Sequence, residues 1–197
     1  MKRLVLASNN PGKLREIGAL LAPLAMELVP QGALGIEEAE EPHATFLENA
    51  LAKARHASRA AALPALADDS GLCVPALGGA PGVHSAYYAG RLGTREERDA
   101  RNNEKLLASL KDERAAYYCC VMILVRHADD PQPLVAEGIW TGEIAREPRG
   151  ANGFGYDPLF LVRELGKTSA ELDPETKNRL SHRGRAMQRL LSLLDAC

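Results

Sequence analysis

The sequence lacks an excess of charge of either sign. Its 24 lysine and arginine residues nearly balance its 26 aspartate and glutamate residues, which leaves a formal net charge of −2. No basic block interrupts this balance, so we expect neither nucleic acid nor a membrane surface as a partner. A strongly anionic ligand would have to be bound by local basic groups and a metal ion.

Long apolar runs are also absent. No stretch approaches the ~20 apolar residues of a transmembrane helix, and the first run, Leu4 to Ala7, is too short for a signal peptide and predicts a strand. The few cysteines show neither the spacing of metal ligands nor a disulfide framework. We therefore expect a cytoplasmic protein with four reduced, partly buried thiols: Cys73, Cys119, Cys120 and Cys197.

The sequence has no signature of covalent catalysis, neither Gly-x-Ser-x-Gly nor a family-type Cys/His pair. It does alternate strand and helix patterns at its start and becomes rich in strand patterns later. Capping boxes at Thr45 and Thr94 predict helices to about Ala62 and Leu110. Two runs rich in valine, isoleucine and aromatics, 115–127 and 134–146, predict an antiparallel pair. The fold class is α/β with a mixed sheet, and residues 1–197 are expected to form one domain with two lobes.

The junction after the first strand has the features of an anion-binding corner. Asn10 suits a helix N-cap and Pro11 the first helical position. A helix N-terminus presents free N–H groups to an anion, and Lys13 adds a full charge in the first turn. Leu14 stands where a P-loop requires serine or threonine. An ordinary capped helix explains the same residues. Its apolar stripe consists of Leu14, Ile17, Leu20, Leu21 and Leu24. The last predicted helix, which begins at Ser181, has the apolar stripe Met187, Leu190, Leu191 and Leu194.

An acidic string, Asp68-Asp69-Ser70-Gly71, follows the predicted buried strand Ala65–Ala67. Carboxylate oxygens of this kind suit Mg²⁺, which takes one or two protein carboxylates and fills its shell with phosphate and water. Turn chemistry alone also explains the string, and we read it as a turn. Further acids precede it at Glu37, Glu38, Glu40 and Glu41.

Three other features carry polar chemistry. The segment Gly150–Pro158 is not a dinucleotide fingerprint, because it leads into a strand. Its Phe154 either stacks on a base or packs down to hold a flexible loop in place.

His182 and Arg183 follow the N-cap candidate Ser181 and oppose the helix dipole. They either bind a ligand or are tolerated at the surface. A third feature is a polar stripe of one predicted helix, which is either a solvated face or part of a site: Asn49, Lys53 and His56.

Five motifs in this order resemble the inosine/xanthosine triphosphate pyrophosphatase family, which removes deaminated purine nucleotides from the pool. They are Ser8–Lys13, Ala67–Leu72, Gly78–Gly82, Gly153–Pro158 and Ser181–Gly184. The resemblance implies an elongated two-lobed fold around a long mixed β-sheet, with flanking helices and a central cleft. It also implies a homodimer and a Mg²⁺-dependent hydrolysis of ITP, dITP and XTP to the monophosphate and pyrophosphate.

The resemblance also implies residue roles. Asp69 would bind Mg²⁺ and accept a proton, with Glu40 as the best-matched second ligand and Glu41 as its neighbouring candidate. Lys53 would reach the triphosphate and Ser70 would touch the substrate. The triphosphate would be held by Ser8, Asn9, Asn10, Pro11, Gly12 and Lys13. The base pocket would be formed by Phe154, Gly155, Tyr156, Asp157, Lys177, His182 and Arg183.

The sequence departs from the family at one point. Family members commonly carry Thr-Gly-Asn where this chain has Ser8-Asn9-Asn10, and Asn9 tolerates a positive φ less well than glycine does. Two other functions stay open: a nucleotide-binding or sensor domain that does not hydrolyse its ligand, and a related pyrophosphatase for modified pyrimidine nucleotides.

Overall fold

A computed structural model describes residues 3–22 and 26–195, so Leu24 and Cys197 lie outside it. Along the described residues the chain forms seven β-strands and five α-helices, joined by loops and short 3-10 helices. The strands are β1 (Arg3–Leu6), β2 (Glu27–Pro30), β3 (Ala65–Cys73), β4 (Ala115–Val125), β5 (Leu134–Ile144), β6 (Phe160–Val162) and β7 (Lys167–Thr168). The helices are α1 (Pro11–Leu21), α2 (Phe46–Ala61), α3 (Arg95–Ser109), α4 (Pro174–Leu180) and α5 (His182–Asp195).

The strands form one sheet in the order β2-β1-β3-β4-β5-β6-β7. β1 pairs in parallel with β2 and β3, whereas β6 pairs antiparallel with β5 and β7. The predicted α/β class with a mixed sheet is therefore confirmed. No helix within the described ranges is long and apolar enough to cross a membrane.

The chain divides into two compact units. The first unit comprises Met1–Asp69, Cys120–Gly138 and His182–Cys197, and the second comprises Ser70–Cys119 and Ile139–Ser181. In the first unit the predicted stripes of α1 and α5 are buried against β1, β3 and β4. Its core includes Leu4, Leu6, Ile17, Leu21, Leu66, Met122, Met187 and Leu190. Burial of this apolar area, and not helix propensity, supplies most of the stability of such short helices.

A glycine sets how closely α5 approaches β5 in the first unit. A Cβ on Gly138 would lie 2.0 Å from the carbonyl oxygen of His182 and 2.5 Å from the amide nitrogen of Ala186. No larger residue fits without moving the helix backbone. Gly138 therefore helps to fix the start of α5, where His182 and Arg183 lie.

The core of the second unit is centred on three aromatic rings. Phe160 packs at 4.6 Å from the ring centroid of Tyr118 and 4.9 Å from that of Trp140, both in tilted arrangements. Tilted aromatic pairs at such distances add stabilisation beyond their buried area. Leu106 of α3 belongs to the same cluster, so this helix is anchored to the core of its unit.

One predicted element is wrong. The string Asp68-Asp69-Ser70-Gly71 is not a turn, because β3 continues through it to Cys73. Turn propensity is a local preference that tertiary contacts override, and here buried cations pair with both aspartates. In a strand, consecutive side chains point to opposite faces, so Asp68 and Asp69 have different surroundings.

Helix boundaries follow the capping signals in most places. The Thr94 capping box is fully formed at the start of α3, and Thr45 accepts a hydrogen bond from the amide of Glu48 at the start of α2. The last helix starts at His182, as predicted. Ser181, its predicted N-cap, also ends α4, an unpredicted helix of seven residues or about two turns.

Candidate functional site

Parallel pairing of β1 and β3 brings two of the predicted motifs to one edge of the sheet. Leu6 of β1 is in register with Leu66 of β3, so the segments that follow both strands leave in the same direction. Such carboxyl ends are where open α/β sheets bind ligands. The segment Ser8–Lys13 and the two aspartates of β3 therefore lie close together.

The start of α1 is capped as the sequence predicts. The Asn10 side-chain oxygen accepts hydrogen bonds from the amides of Gly12 at 2.9 Å and Lys13 at 3.2 Å. Pro11 occupies the first helical position, and the Ser8 hydroxyl accepts from the Asn10 amide at 3.2 Å. These contacts fix the turn that directs Lys13 toward β3.

Asn9 fits this corner without strain. Among the non-glycine residues that the structure describes, only Ala62 has a positive φ, so Asn9 does not need the freedom of a glycine backbone. Its side chain instead uses space beside Gly32, where a Cβ would lie 2.6 Å from the Asn9 side-chain oxygen. The departure from the family motif therefore leaves the corner in an ordinary backbone conformation.

Asp68 is the centre of a buried charge cluster. Its Oδ2 lies 3.1 Å from Lys13 Nζ and 3.3 Å from Arg183 Nη2, and Arg183 also pairs with Glu16 of α1. Asp68 is 1% and Arg183 2% exposed. Burial alone would raise the pKa of Asp68, but Lys13 and Arg183 outweigh it and hold the pKa well below its usual range. The carboxylate is ionised and fixes both cations.

Asp69 faces a different set of partners. Its Oδ1 lies 2.9 Å from Lys53 Nζ, and its Oδ2 accepts a hydrogen bond from Asn49 Nδ2 at 3.4 Å. The same Lys53 ammonium lies 2.8 Å from Glu41 Oε1. Lys53 therefore brings two carboxylates from distant parts of the chain to one point.

Burial affects the two partners differently. Burial is the largest influence on the pKa of Asp69 and raises it, although the charges of Lys53 and Lys13 act to lower it. For Lys53, burial alone would lower the pKa, but Asp69, Glu41 and Asp68 together raise it above its usual range. Of the two aspartates of β3, Asp69 is therefore the readier to accept a proton, while Lys53 stays charged.

The polar stripe of α2 is a contact surface and not a solvated face. The Asn49 side chain forms two hydrogen bonds with the backbone of His43. It accepts one from the amide at 3.0 Å and donates one to the carbonyl at 3.2 Å. His56 Nε2 lies 3.0 Å from the carbonyl oxygen of Glu37. With the Lys53–Glu41 pair, the stripe holds the acidic segment 37–43 at three points. Asn49 is 1% exposed, and its spacing of four residues from Lys53 was the signal for it in the sequence.

Glu40 and Glu41 are separated by these contacts. Both glutamates are exposed, but Glu41 is the one that pairs with the lysine that also binds Asp69. Among residues 3–22 and 26–195, no three His, Cys, Asp or Glu side chains are grouped so that they could hold a metal ion. Of the acidic residues at the site, Asp69 and Glu41 are therefore the pair that could bind a cation.

In the second unit, Asp157 organises the glycine-rich segment. Its Oδ2 accepts from the Phe154 amide at 2.8 Å and lies 2.7 Å from Lys177 Nζ, while its Oδ1 accepts from Ser169 at 2.9 Å. Gly153 has a φ of +79°, and a Cβ there would lie 2.0 Å from Asp157 Oδ2. This position therefore requires glycine.

The other residues implied for base binding have varied surroundings. Phe154 is half-buried, with Lys177 Nζ 5.0 Å from its ring centroid. Tyr156 is a core residue whose hydroxyl donates to the Ser85 carbonyl at 2.9 Å. Ser70 opens the second unit, directly after Asp69 in β3. His182 and Arg183 are buried in the first unit, where Arg183 contacts Asp68 and Glu16.

A capped helix start lies beside two lysines, each held by a carboxylate of one strand, which is an arrangement that α/β proteins use to bind phosphorylated ligands. The chain belongs to the Ham1 family, whose model matches residues 4–193. This membership bears out the resemblance that the five motifs indicated.

Close relatives cover nearly the whole chain. A dITP/XTP pyrophosphatase of Burkholderia pseudomallei (strain K96243) is 65% identical over 194 residues, which are 98% of this chain and 93% of the relative. A dITP/XTP pyrophosphatase of Ralstonia nicotianae (strain ATCC BAA-1114 / GMI1000) is 62% identical over 196 residues, 98% and 97% of the two chains. The solved structure of a HAM1 protein from Coxiella burnetii is 48% identical, covers 100% of both chains and has a TM-score of 0.91.

Proposed function

We propose that this protein hydrolyses non-standard purine nucleoside triphosphates, namely dITP, ITP and XTP, to the nucleoside monophosphate and pyrophosphate. Relatives at 65% and 62% identity are named dITP/XTP pyrophosphatase. The observation in the chain itself that supports it best is the contact of one buried lysine, Lys53, with both Asp69 and Glu41. This contact supports the proposal because it joins two carboxylates and an ammonium group, which suit proton transfer and the binding of phosphate and a cation.

Several groups must share the charge of the triphosphate. A helix N-terminus contributes about 0.3–1 kcal/mol to anion binding, whereas micromolar affinity requires about 8 kcal/mol. Asn10 also accepts from two of the α1 amides, which reduces what the helix start offers. Lys13 and Lys53 supply two full charges at the same edge of the sheet, and a metal ion would supply more.

We propose Mg²⁺ as the metal, held by Asp69 and Glu41. Two converging carboxylates match its usual protein ligands, with phosphate and water completing the shell. When bound, the ion offsets negative charge on the pyrophosphate leaving group. Glu41 replaces Glu40 as the favoured second ligand because only Glu41 shares Lys53 with Asp69.

The residues of the first unit then account for the hydrolytic step. The oxygen of a water molecule bonds to the α-phosphorus, and the bond from that phosphorus to the oxygen bridging to the β-phosphorus breaks. Pyrophosphate leaves with the bonding electrons. Asp69 accepts the proton of the water. Lys53 fixes the orientation of the Asp69 carboxylate.

Metal dependence separates the two glutamates. We expect EDTA to stop pyrophosphate release and added Mg²⁺ to restore it. Loss of a metal-site group weakens metal affinity by about 10–100-fold, so Glu41→Gln should raise the half-saturating Mg²⁺ concentration by about that factor. Glu40→Gln, the matched control, should leave it near the wild-type value. The reverse order of the two variants would move the second ligand to Glu40.

Substrate preference tests the purine pocket. Inosine and xanthosine carry an oxo group at C6 where adenosine carries an amino donor, and Lys177 of the second unit is a donor that the family resemblance implies for that oxo group. Sites that hydrogen-bond a substrate reject an analogue by about 10⁴–10⁵-fold, whereas a purely apolar fit reaches only about 10²-fold. In a panel of triphosphates, kcat/KM for pyrophosphate release should be at least about 10²-fold lower for ATP than for dITP. Comparable values would refute donor recognition, and hydrolysis of modified pyrimidine nucleotides in preference to dITP would favour the related pyrophosphatase.

The family resemblance also supports two finer proposals. We propose that the protein acts as a homodimer and that it works in the cytoplasm, where the nucleotide pool that it would clear is found.

A further inference from the structure

One face of α3 forms two hydrogen bonds with the backbone of Gly155. Asp99 Oδ2 accepts a hydrogen bond from the Gly155 amide at 2.9 Å. Four residues later on the helix, Asn103 Nδ2 donates to the Gly155 carbonyl at 2.9 Å. Residues four apart lie on the same face of a helix, so both polar groups of this one residue are held by a single rigid element.

The same face of α3 reaches the neighbouring aromatic ring. Arg95, four residues before Asp99, has its Cζ 4.7 Å from the ring centroid of Phe154 and its Nε 3.8 Å from Asp99 Oδ2. A guanidinium at this distance attracts the face of an aromatic ring. Two parts of the chain therefore hold this segment. Asp157 binds the backbone amide of Phe154, and α3 binds the backbone of the next residue, Gly155.

Packing alone does not explain an aspartate at position 99. Its side chain is 24% exposed, and burial raises the pKa of its carboxyl group, although the Gly155 amide and Arg95 act against this. A carboxylate that is partly desolvated costs stability unless it forms strong hydrogen bonds. Its contact with Gly155 is a charge-assisted bond of that kind.

We propose that Asp99 is a positioning residue for base recognition, which together with Asn103 fixes Gly155 so that Phe154 is presented to the purine ring. This inference rests on the proposed function. Asp99 touches neither the phosphates nor the reacting water in this account. Its loss should therefore weaken binding of the nucleoside part of the substrate and leave binding of the phosphates unchanged.

The test compares Asp99→Leu with two other variants. Asp99→Asn keeps an acceptor oxygen of the same shape, and Glu104→Leu makes the same chemical change at an exposed position of α3. For each, KM and kcat are measured with dITP and Mg²⁺, and binding of inorganic tripolyphosphate is measured by calorimetry. Tripolyphosphate has no base, so it reports on the phosphate site alone.

We expect Asp99→Leu to raise KM by about tenfold or more, since a hydrogen bond to a charged group is lost. Its kcat and its tripolyphosphate affinity should stay within about threefold of wild type, and Asp99→Asn and Glu104→Leu should resemble wild type in all three. Hydrogen exchange of the Gly155 amide should be faster in Asp99→Leu alone. An unchanged KM, or a parallel loss of tripolyphosphate affinity, would overturn the inference. If the wild-type protein released no pyrophosphate from dITP, the proposed function would fail, and this inference with it.

Discussion

Asp69→Asn should lower the rate of pyrophosphate release from dITP by about 10²–10⁴-fold, the range that a general base contributes. The change keeps the shape of the side chain. It removes the ability of the side chain to accept a proton and the negative charge that would bind a cation. Stopped or steady-state assays with saturating Mg²⁺ measure the loss. Residual activity within about tenfold of wild type would show that another group accepts the proton.

A control must show that the Asp69 variant is folded. Burial is the largest influence on this carboxyl group and disfavours its charged form, so a neutral amide of the same shape should be tolerated. Lys53 keeps Glu41 as a partner. We therefore expect the circular dichroism spectrum and urea midpoint to stay close to wild type. Asp112→Asn, at an exposed position, should retain full activity.

Asp68→Asn should have the opposite profile, with its main effect on stability. Removing one partner of a buried charge network costs about 3–5 kcal/mol, because the remaining charges lose their compensation. Asp68 is fully enclosed between Lys13 and Arg183. Urea unfolding should show a fall in the free energy of unfolding of about this size, and a smaller fall for Asp69→Asn. Equal losses for the two variants would contradict the different surroundings described for them.

The pH dependence of that loss has a defined sign. The pKa of Asp68 is lower in the folded protein than in the unfolded chain, where it is about 3.9. Its contribution to stability is therefore fully present above the unfolded pKa and is lost as the pH falls through the folded pKa. The difference in unfolding free energy between wild type and Asp68→Asn should shrink on acidification and stay constant near neutral pH.

Local signals in the sequence predicted a good part of the fold. Asn10 and Pro11 mark the start of α1 because capping depends on neighbours within three residues. The apolar stripes of α1 and α5 and the mixed sheet are likewise confirmed. The acidic string was predicted wrongly, because aspartate, serine and glycine favour turns only while nothing distant binds them.

The pairings inside the site could not be predicted from local patterns. Lys13 lies 55 residues from Asp68, and Arg183 lies 115 residues from it. Their contact depends on how β1, β3 and α5 pack. The family resemblance supplied roles for single residues, but it did not indicate that Arg183 pairs with Asp68, or that α3 holds Gly155. Those contacts need three-dimensional geometry.

The most direct test of the central claim is a product assay of wild type and Asp69→Asn side by side, with dITP and Mg²⁺. Pyrophosphate, orthophosphate and the nucleotide product are measured in the same samples. If Asp69 is the proton acceptor, wild type forms pyrophosphate and dIMP in equal amounts and the variant forms almost none. Orthophosphate and dIDP as products, or equal rates for the two proteins, would contradict it.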